Sequence, residues 1–261
     1  MYKDMYVALS GAVGMQKRLD VVANNLANVS TPGFKADNIV FESYLSKKLK
    51  ETEGQSTPQN PKPEFMRQDE YVVASEQYTD HSQGAARVTE NPLDVALAGE
   101  GFLAVMTYEG ERYTRAGSMK VGARGELATE EGAPVLDEND RMIYVNDGFV
   151  TIDEEGHVYV RGDTGGEGGE GRLAGKLKLV DFAQPYRLVK EGSGLFRAYD
   201  PADMISPRNL KVHQGHLENS NVEMIREMTA MIEVQRMTEA FQKAIQSSDQ
   251  MSGTLISQIG R

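Results

Sequence analysis

The sequence predicts an α+β protein: elongated, with long N- and C-terminal helices paired as a coiled-coil-like domain, plus a central antiparallel β domain. Three observations carry this. Near the start, Tyr2, Met5, Leu9, Ala12, Gln16, Leu19, Ala23 and Leu26 recur at alternating spacings of three and four. Near the end, Val234, Met237, Phe241, Ala244, Ser248, Met251 and Leu255 do the same. Between them lie short apolar runs punctuated by glycine turns. Alternating spacings of three and four average 3.5 residues, the period of a seam that takes another helix.

The first helix is expected over residues 3–28 and stops at Ser30-Thr31-Pro32-Gly33, where Pro32 biases Thr31 away from helix and Gly33 supplies a turn. Asn24, Asn25 and Asn28 weaken the helix end, and their amides are expected to cap it. Residues 34–50 are mixed, and 51–64, with three prolines, read as an extended linker. From about residue 71 to 200 the spacing fits strands. The clearest are 101–107, 111–115, 119–122, 126–129, 142–145, 149–152 and 157–161, with further candidates at 173–182, 186–189 and 195–199. That pattern argues for a sandwich or partial barrel. The second helix is expected over 217–258, with Ser220 and Glu223 in a capping-box arrangement. Ile225, Met228 and Ile232 widen its apolar stripe. The domain division that results is 1–33 with 215–261 as a discontinuous helical assembly part, 34–70 as linker, and 71–214 as an outer β part.

A helix of ~40 residues runs ~60 Å, more than the ~47 Å diameter of a compact globule of this length. The second helix therefore does not fit inside a private core, and an assembly is expected to cover it.

Composition narrows the function classes. The chain has 261 residues, 39% hydrophobic, and a mean hydropathy of −0.47. It holds no apolar run of membrane-spanning length and no charged-then-apolar leader at its start. Without cysteine, disulfides and thiolate chemistry are excluded. Of the net charge of −11, the two ends carry about −1 and the middle about −10. Near-neutral helices can pack beside copies of themselves, while an acidic middle repels nucleic acid.

The search for catalytic chemistry returns little. His213-Gln214-Gly215-His216 has an i, i+3 spacing, but Gly215 disfavours the helix a metal pair would need, so no metal is expected. The glycine-rich, acidic segment 162–171 lacks the Lys-Ser/Thr ending of a phosphate loop and reads as a flexible hairpin tip. A pair of glycosidase-type carboxylates cannot be singled out among so many acids. No catalytic residue, cofactor or small-molecule substrate is assigned. A glycan hydrolase and an adhesin are the alternatives from other classes.

The sequence also carries four blocks, in order, that resemble the flagellar axial proteins, the rod and hook components. The first is Asn24-Asn25-Leu26-Ala27-Asn28-Val29-Ser30-Thr31-Pro32-Gly33-Phe34-Lys35. The second runs from Asn91-Pro92-Leu93-Asp94 to Gly101-Phe102-Leu103. The third is Tyr113-Thr114-Arg115-Ala116-Gly117-Ser118-Met119, followed by Gly125-Glu126-Leu127. The fourth joins Gly215-His216-Leu217-Glu218-Asn219-Ser220-Asn221-Val222 to Met231-Ile232-Glu233-Val234-Gln235-Arg236.

The resemblance implies a structural subunit of the basal-body rod within the periplasm, exported through the flagellar type III apparatus. It implies helical polymerisation with copies of itself, with smaller proximal rod subunits and with the distal rod protein, and surrounding rings as further neighbours. The wall of the export channel and the torque-carrying shaft would be built from paired terminal helices. Two rod proteins of the family have this length, the distal rod protein and one other, and residues 179–188 with 192–196 resemble the other. The assembly interface so implied comprises Met5, Leu9, Leu19, Asn24, Asn25, Leu26, Asn28, Pro32, Gly33, Phe34, Glu218, Asn219, Ser220, Asn221, Val222, Met231, Val234, Gln235, Arg236, Met237, Phe241 and Ile245.

Overall fold

The computed structural model describes residues 2–43, 72–146, 148–162 and 171–259. The linker reading at 51–64 and nearly all of the hairpin tip at 162–171 lie outside the described residues. The chain is α+β and forms two compact units.

The helical unit holds residues 1–27, 37–78 and 223–261. Its helices are α1 (Tyr2–Ala27) and α2 (Met224–Ile259), which pack on each other, and β1 (Asp37–Ser43) pairs with β2 (Val72–Thr79). No described helix is long and apolar enough to cross a membrane.

Burial in α2 falls on Met231, Val234, Thr238, Phe241, Ile245 and Ser248, a stripe of 3.5-residue period. In α1 the covered face is broader: Gly11, Gly14, Val22 and Asn25 are buried, and Ala8, Ser10, Ala12, Met15, Arg18, Leu19, Val21 and Leu26 are half-buried. The expected seams hold at alternate positions: Ala12, Leu19, Leu26, Val234, Phe241 and Ser248 are at least half-buried, whereas Leu9, Gln16, Ala23, Met237, Ala244 and Met251 are exposed. The reason for the difference is close approach by small residues. A Cβ on Gly11 would lie 2.6 Å from the Phe241 ring, so the α2 phenylalanine fills the space beside a glycine that an apolar count passes over.

The β unit holds residues 28–36 and 79–222. Its strands are β3 (Ala86–Val88), β4 (Val95–Ala98), β5 (Phe102–Thr107), β6 (Gly110–Thr114), β7 (Met119–Val121), β8 (Leu127–Thr129), β9 (Gly148–Ile152), β10 (His157–Gly162), β11 (Arg172–Lys176), β12 (Leu179–Phe182), β13 (Val189–Glu191), β14 (Leu195–Arg197), β15 (Met204–Ile205), β16 (Lys211–Gln214) and β17 (His216–Glu218). The largest sheet has the order β13-β14-β6-β5-β12-β15 and is antiparallel throughout. A second runs β11-β10-β9, and the pairs β16-β4, β17-β3 and β7-β8 complete the unit.

Strand β5 is buried on both faces. Phe102 and Ala104 enter one core with Tyr113, Phe182 and Phe196, while Leu103 and Val105 enter another with Leu97, Leu127, Ile143 and Val158.

The expected strand 173–182 divides into β11 and β12, which belong to different sheets. Residues 142–145 make only isolated bridges, and residues 185–187 form a 3-10 turn before β13. The second helix begins at Met224, not 217, because residues 216–218 pair with β3. The capping box does not form: the Ser220 hydroxyl accepts from Val222 N–H at 3.2 Å, ahead of the helix. Residues 28–33 and 215–222 fold with the β unit, whereas β1 and most of β2 fold with the helices.

Candidate assembly surface and the buried joint

The motif residues fall into two groups, one on the helices, partly exposed and partly covered, and one inside the β unit. In the second group, Gly33 takes a left-handed turn (φ +68°) and its N–H donates to Glu218 O at 2.8 Å. A Cβ there would meet Ala116 N at 2.3 Å, so only glycine lets the chain pass. Phe34 and Ala36 pack with Val222 and Val29 in a small core. The Asn221 side chain accepts from Ala36 N–H at 2.8 Å and donates to Asp80 O at 2.9 Å, stitching residues 36, 80 and 221 together.

At the centre stands Glu218, 1% exposed. Its Oε1 accepts from Lys35 Nζ at 2.6 Å and from Gly84 N–H at 2.9 Å, and its Oε2 accepts from Arg115 Nη1 at 3.3 Å. Lys35 also donates to Ser82 O at 2.7 Å, and Arg115 to Gly99 O at 2.6 Å. Burial lowers the pKa of both cations from their ordinary values, and Glu218 opposes the shift. One carboxylate thus serves two buried cations, and extra carbonyl acceptors complete their coordination. Such pairing is what makes a buried charge tolerable.

Several members of the expected interface therefore do other work. Gly33, Phe34, Glu218 and Val222 are buried in this joint, and Asn221 is half-buried in it. Asn28 and Pro32 are half-buried beside it in sequence, with Asn28 O accepting from Thr31 N–H at 3.1 Å, and Asn219 and Ser220 are half-buried as well. Asn25 does not cap its own helix. Its buried amide donates to Asp37 O at 2.9 Å and accepts from Asp37 N–H at 3.0 Å, pairing the start of β1 as another strand would.

Along the helices, Leu19, Leu26, Met231, Phe241 and Ile245 are half-buried and Val234 is fully buried. Leu9, Asn24, Gln235, Arg236 and Met237 are exposed, and the Met5 side chain lies outside the described residues. The apolar surface also includes Val13, Ile225, Met228, Ile232 and Met251, of which Ile225 is 75% exposed. Three of these widened the α2 stripe in the sequence without reaching the interface set. Lys35 and Arg115 were missed too; each is the one charge in its run, residues 24–35 and 113–119, and that is the signal that marks them. His213 and His216 sit on β16 and β17, while the histidine that does meet acids is His157, whose Nδ1 lies 2.9 Å from Asp153 in a turn.

The class defined is a structural protein whose two terminal helices enclose, in sequence, an inserted β unit. Residues 5–35 match the family model described as Flagella basal body rod protein, 96–160 the Flagellar hook protein FlgE/F/G D1 domain, and 213–259 the Flagellar basal body rod FlgEFG protein C-terminal. The chain is 30% identical to flagellar basal-body rod protein FlgF of Caulobacter vibrioides, covering 98% of both chains. It is 33% identical to FlgG of Borreliella burgdorferi over 97% of both, and 30% identical to FlgG of Bacillus subtilis over 98% of both. The chain belongs to the flagellar basal-body rod protein family. It is a structural rod subunit and not an enzyme. The joint is where the three matched spans meet: Gly33 and Lys35 come from the first, Arg115 from the second, Glu218 and Asn221 from the third.

Proposed function

We propose that this chain builds part of the rod by packing the exposed apolar residues of its terminal helices against neighbouring subunits. The observation that carries this is that Leu9, Val13, Ile225, Met228, Ile232, Met237 and Met251 all stay between 45% and 75% exposed on those two helices. Burying each would contribute on the order of 1 kcal/mol or more, and an isolated chain leaves that unrealised. The neighbours are copies of this chain, smaller proximal rod subunits and the distal rod protein; surrounding rings and the type III export apparatus are further contacts. The 3.5-residue burial stripe of α2 supports a coiled-coil-like pairing of α1 and α2. The assembling part lies within residues 1–33 and 215–261 and forms the torque-carrying wall of the export channel. Residues 71–214 form the outer layer in the periplasm. The segment 179–188 favours the FlgF branch over FlgG.

The chain has no cysteine, so a single introduced thiol reports one contact. Ile232→Cys in assembled basal bodies is expected to form a disulfide with a thiol placed on a neighbouring rod subunit, and Tyr108→Cys, on the β5–β6 hairpin, serves as the control. Equal yields from both positions would refute the helix-face reading.

A further inference from the structure

His81 lies outside all three spans matched by the family, yet it sits against the joint. Its ring meets Phe102 edge-on at 5.7 Å and Phe196 at 5.3 Å. Both ring nitrogens are buried, and neither makes a well-formed hydrogen bond. A satisfied structural imidazole would donate to a carbonyl or accept from an N–H; this one has the Pro185 carbonyl nearby but is held chiefly by aromatic packing.

The charges around it are uneven. Lys35, from the segment after α1, and Arg115, from the end of β6, both bear on the imidazole, with Asp80 opposing them and the Pro185 carbonyl favouring the charged ring. Glu218 on β17 is already shared by Lys35 and Arg115. Lys190 of β13 donates to Lys35 O at 2.6 Å, and Asp181 of β12 acts on Arg115. A proton on His81 would add a third cation beside two that share one carboxylate, inside an aromatic wall that cannot solvate it.

We infer that His81 is an acid-sensitive release in this joint: protonation expels the imidazole from its aromatic pocket and loosens the segment 33–36 from Glu218 and Asn221. Burial, with Lys35 and Arg115 next, lowers the His81 pKa from 6.5 to about 4 in the closed state. A group with a depressed basic pKa favours the closed state fully above its open-state value. That preference is lost as pH falls from 6.5 toward 4 and is exhausted below. The difference corresponds to roughly a 300-fold change in the open-to-closed ratio, at tenfold per pKa unit.

The test is amide hydrogen exchange on the full chain at Gly33, Ala36 and Gly84, whose N–H groups are bonded within the joint. Protection corrected for intrinsic rate is expected to fall about 80-fold between pH 6.5 and 4 in the natural sequence, the full change needing a wider pH range, and to stay flat in His81→Phe, which keeps the aromatic packing. His213→Phe, on an exposed histidine, should behave as the natural sequence. If His81→Phe does not fold, an NMR titration of the His81 ring in the unaltered chain decides instead. A ring that titrates near 6.5 without loss of protection, or two proteins that lose protection in parallel, would overturn the proposal.

Discussion

Lys35 and Glu218 stand 183 residues apart in sequence and 2.6 Å apart in the fold, each with a side chain 1% exposed. The pair ties the segment that follows α1 to the strand that shortly precedes α2. Removing either partner leaves an uncompensated buried charge. Lys35→Met is expected to cost ~3–5 kcal/mol, and Glu218→Gln more, because it leaves two buried cations without a counter-charge and turns an amide NH2 toward one of them. Urea unfolding of the full chain, followed by tyrosine near-UV circular dichroism, checks the order of the two.

Asn25 gives a second, smaller test. Asn25→Leu leaves the Asp37 N–H and C=O without their side-chain partner and is expected to destabilise the helical unit by ~2–4 kcal/mol. Asn25→Asp retains an acceptor for the Asp37 N–H but sets a carboxylate against the Asp37 carbonyl, and should cost a comparable amount. Thermal melts at 222 nm measure both. A melting temperature unchanged in Asn25→Leu would return this residue to the assembly interface that the family resemblance implied.

What the sequence made legible, and what it did not, divides along physical lines. Helix existence and the glycine-marked hairpins were legible because local periodicity and turn chemistry determine them; Gly110, Gly125 and Gly156 all adopt positive φ. The start of α2 was not, because β17 exists only through its partner β3, more than a hundred residues away. The seam passed over Gly11, where a missing side chain makes the contact. The buried joint was half visible: its residues stood in the quoted blocks, but nothing local says that Lys35, Arg115 and Glu218 face one another.

The contact between Gly11 and Phe241 carries its own prediction. Gly11→Leu forces a side chain into the Phe241 ring and is expected to destabilise the helix pair by ~1–3 kcal/mol. Phe241→Ala should destabilise it as well. The double variant should be more stable than the sum of the two losses implies, by ~1 kcal/mol or more, since each change makes room for the other. Strict additivity in thermal melts would mean that Gly11 and Phe241 do not meet.

Under the proposed function, exposed apolar positions on the terminal helices hold this subunit in the rod. The most direct measurement is the amount of this chain in basal bodies purified from cells that express Ile232→Lys. Ile232 is 52% exposed, so the isolated protein should keep its circular dichroism and urea midpoint. The predicted result is a normally folded subunit absent from the basal body, in cells that do not swim. Full incorporation of Ile232→Lys with normal swimming would contradict it.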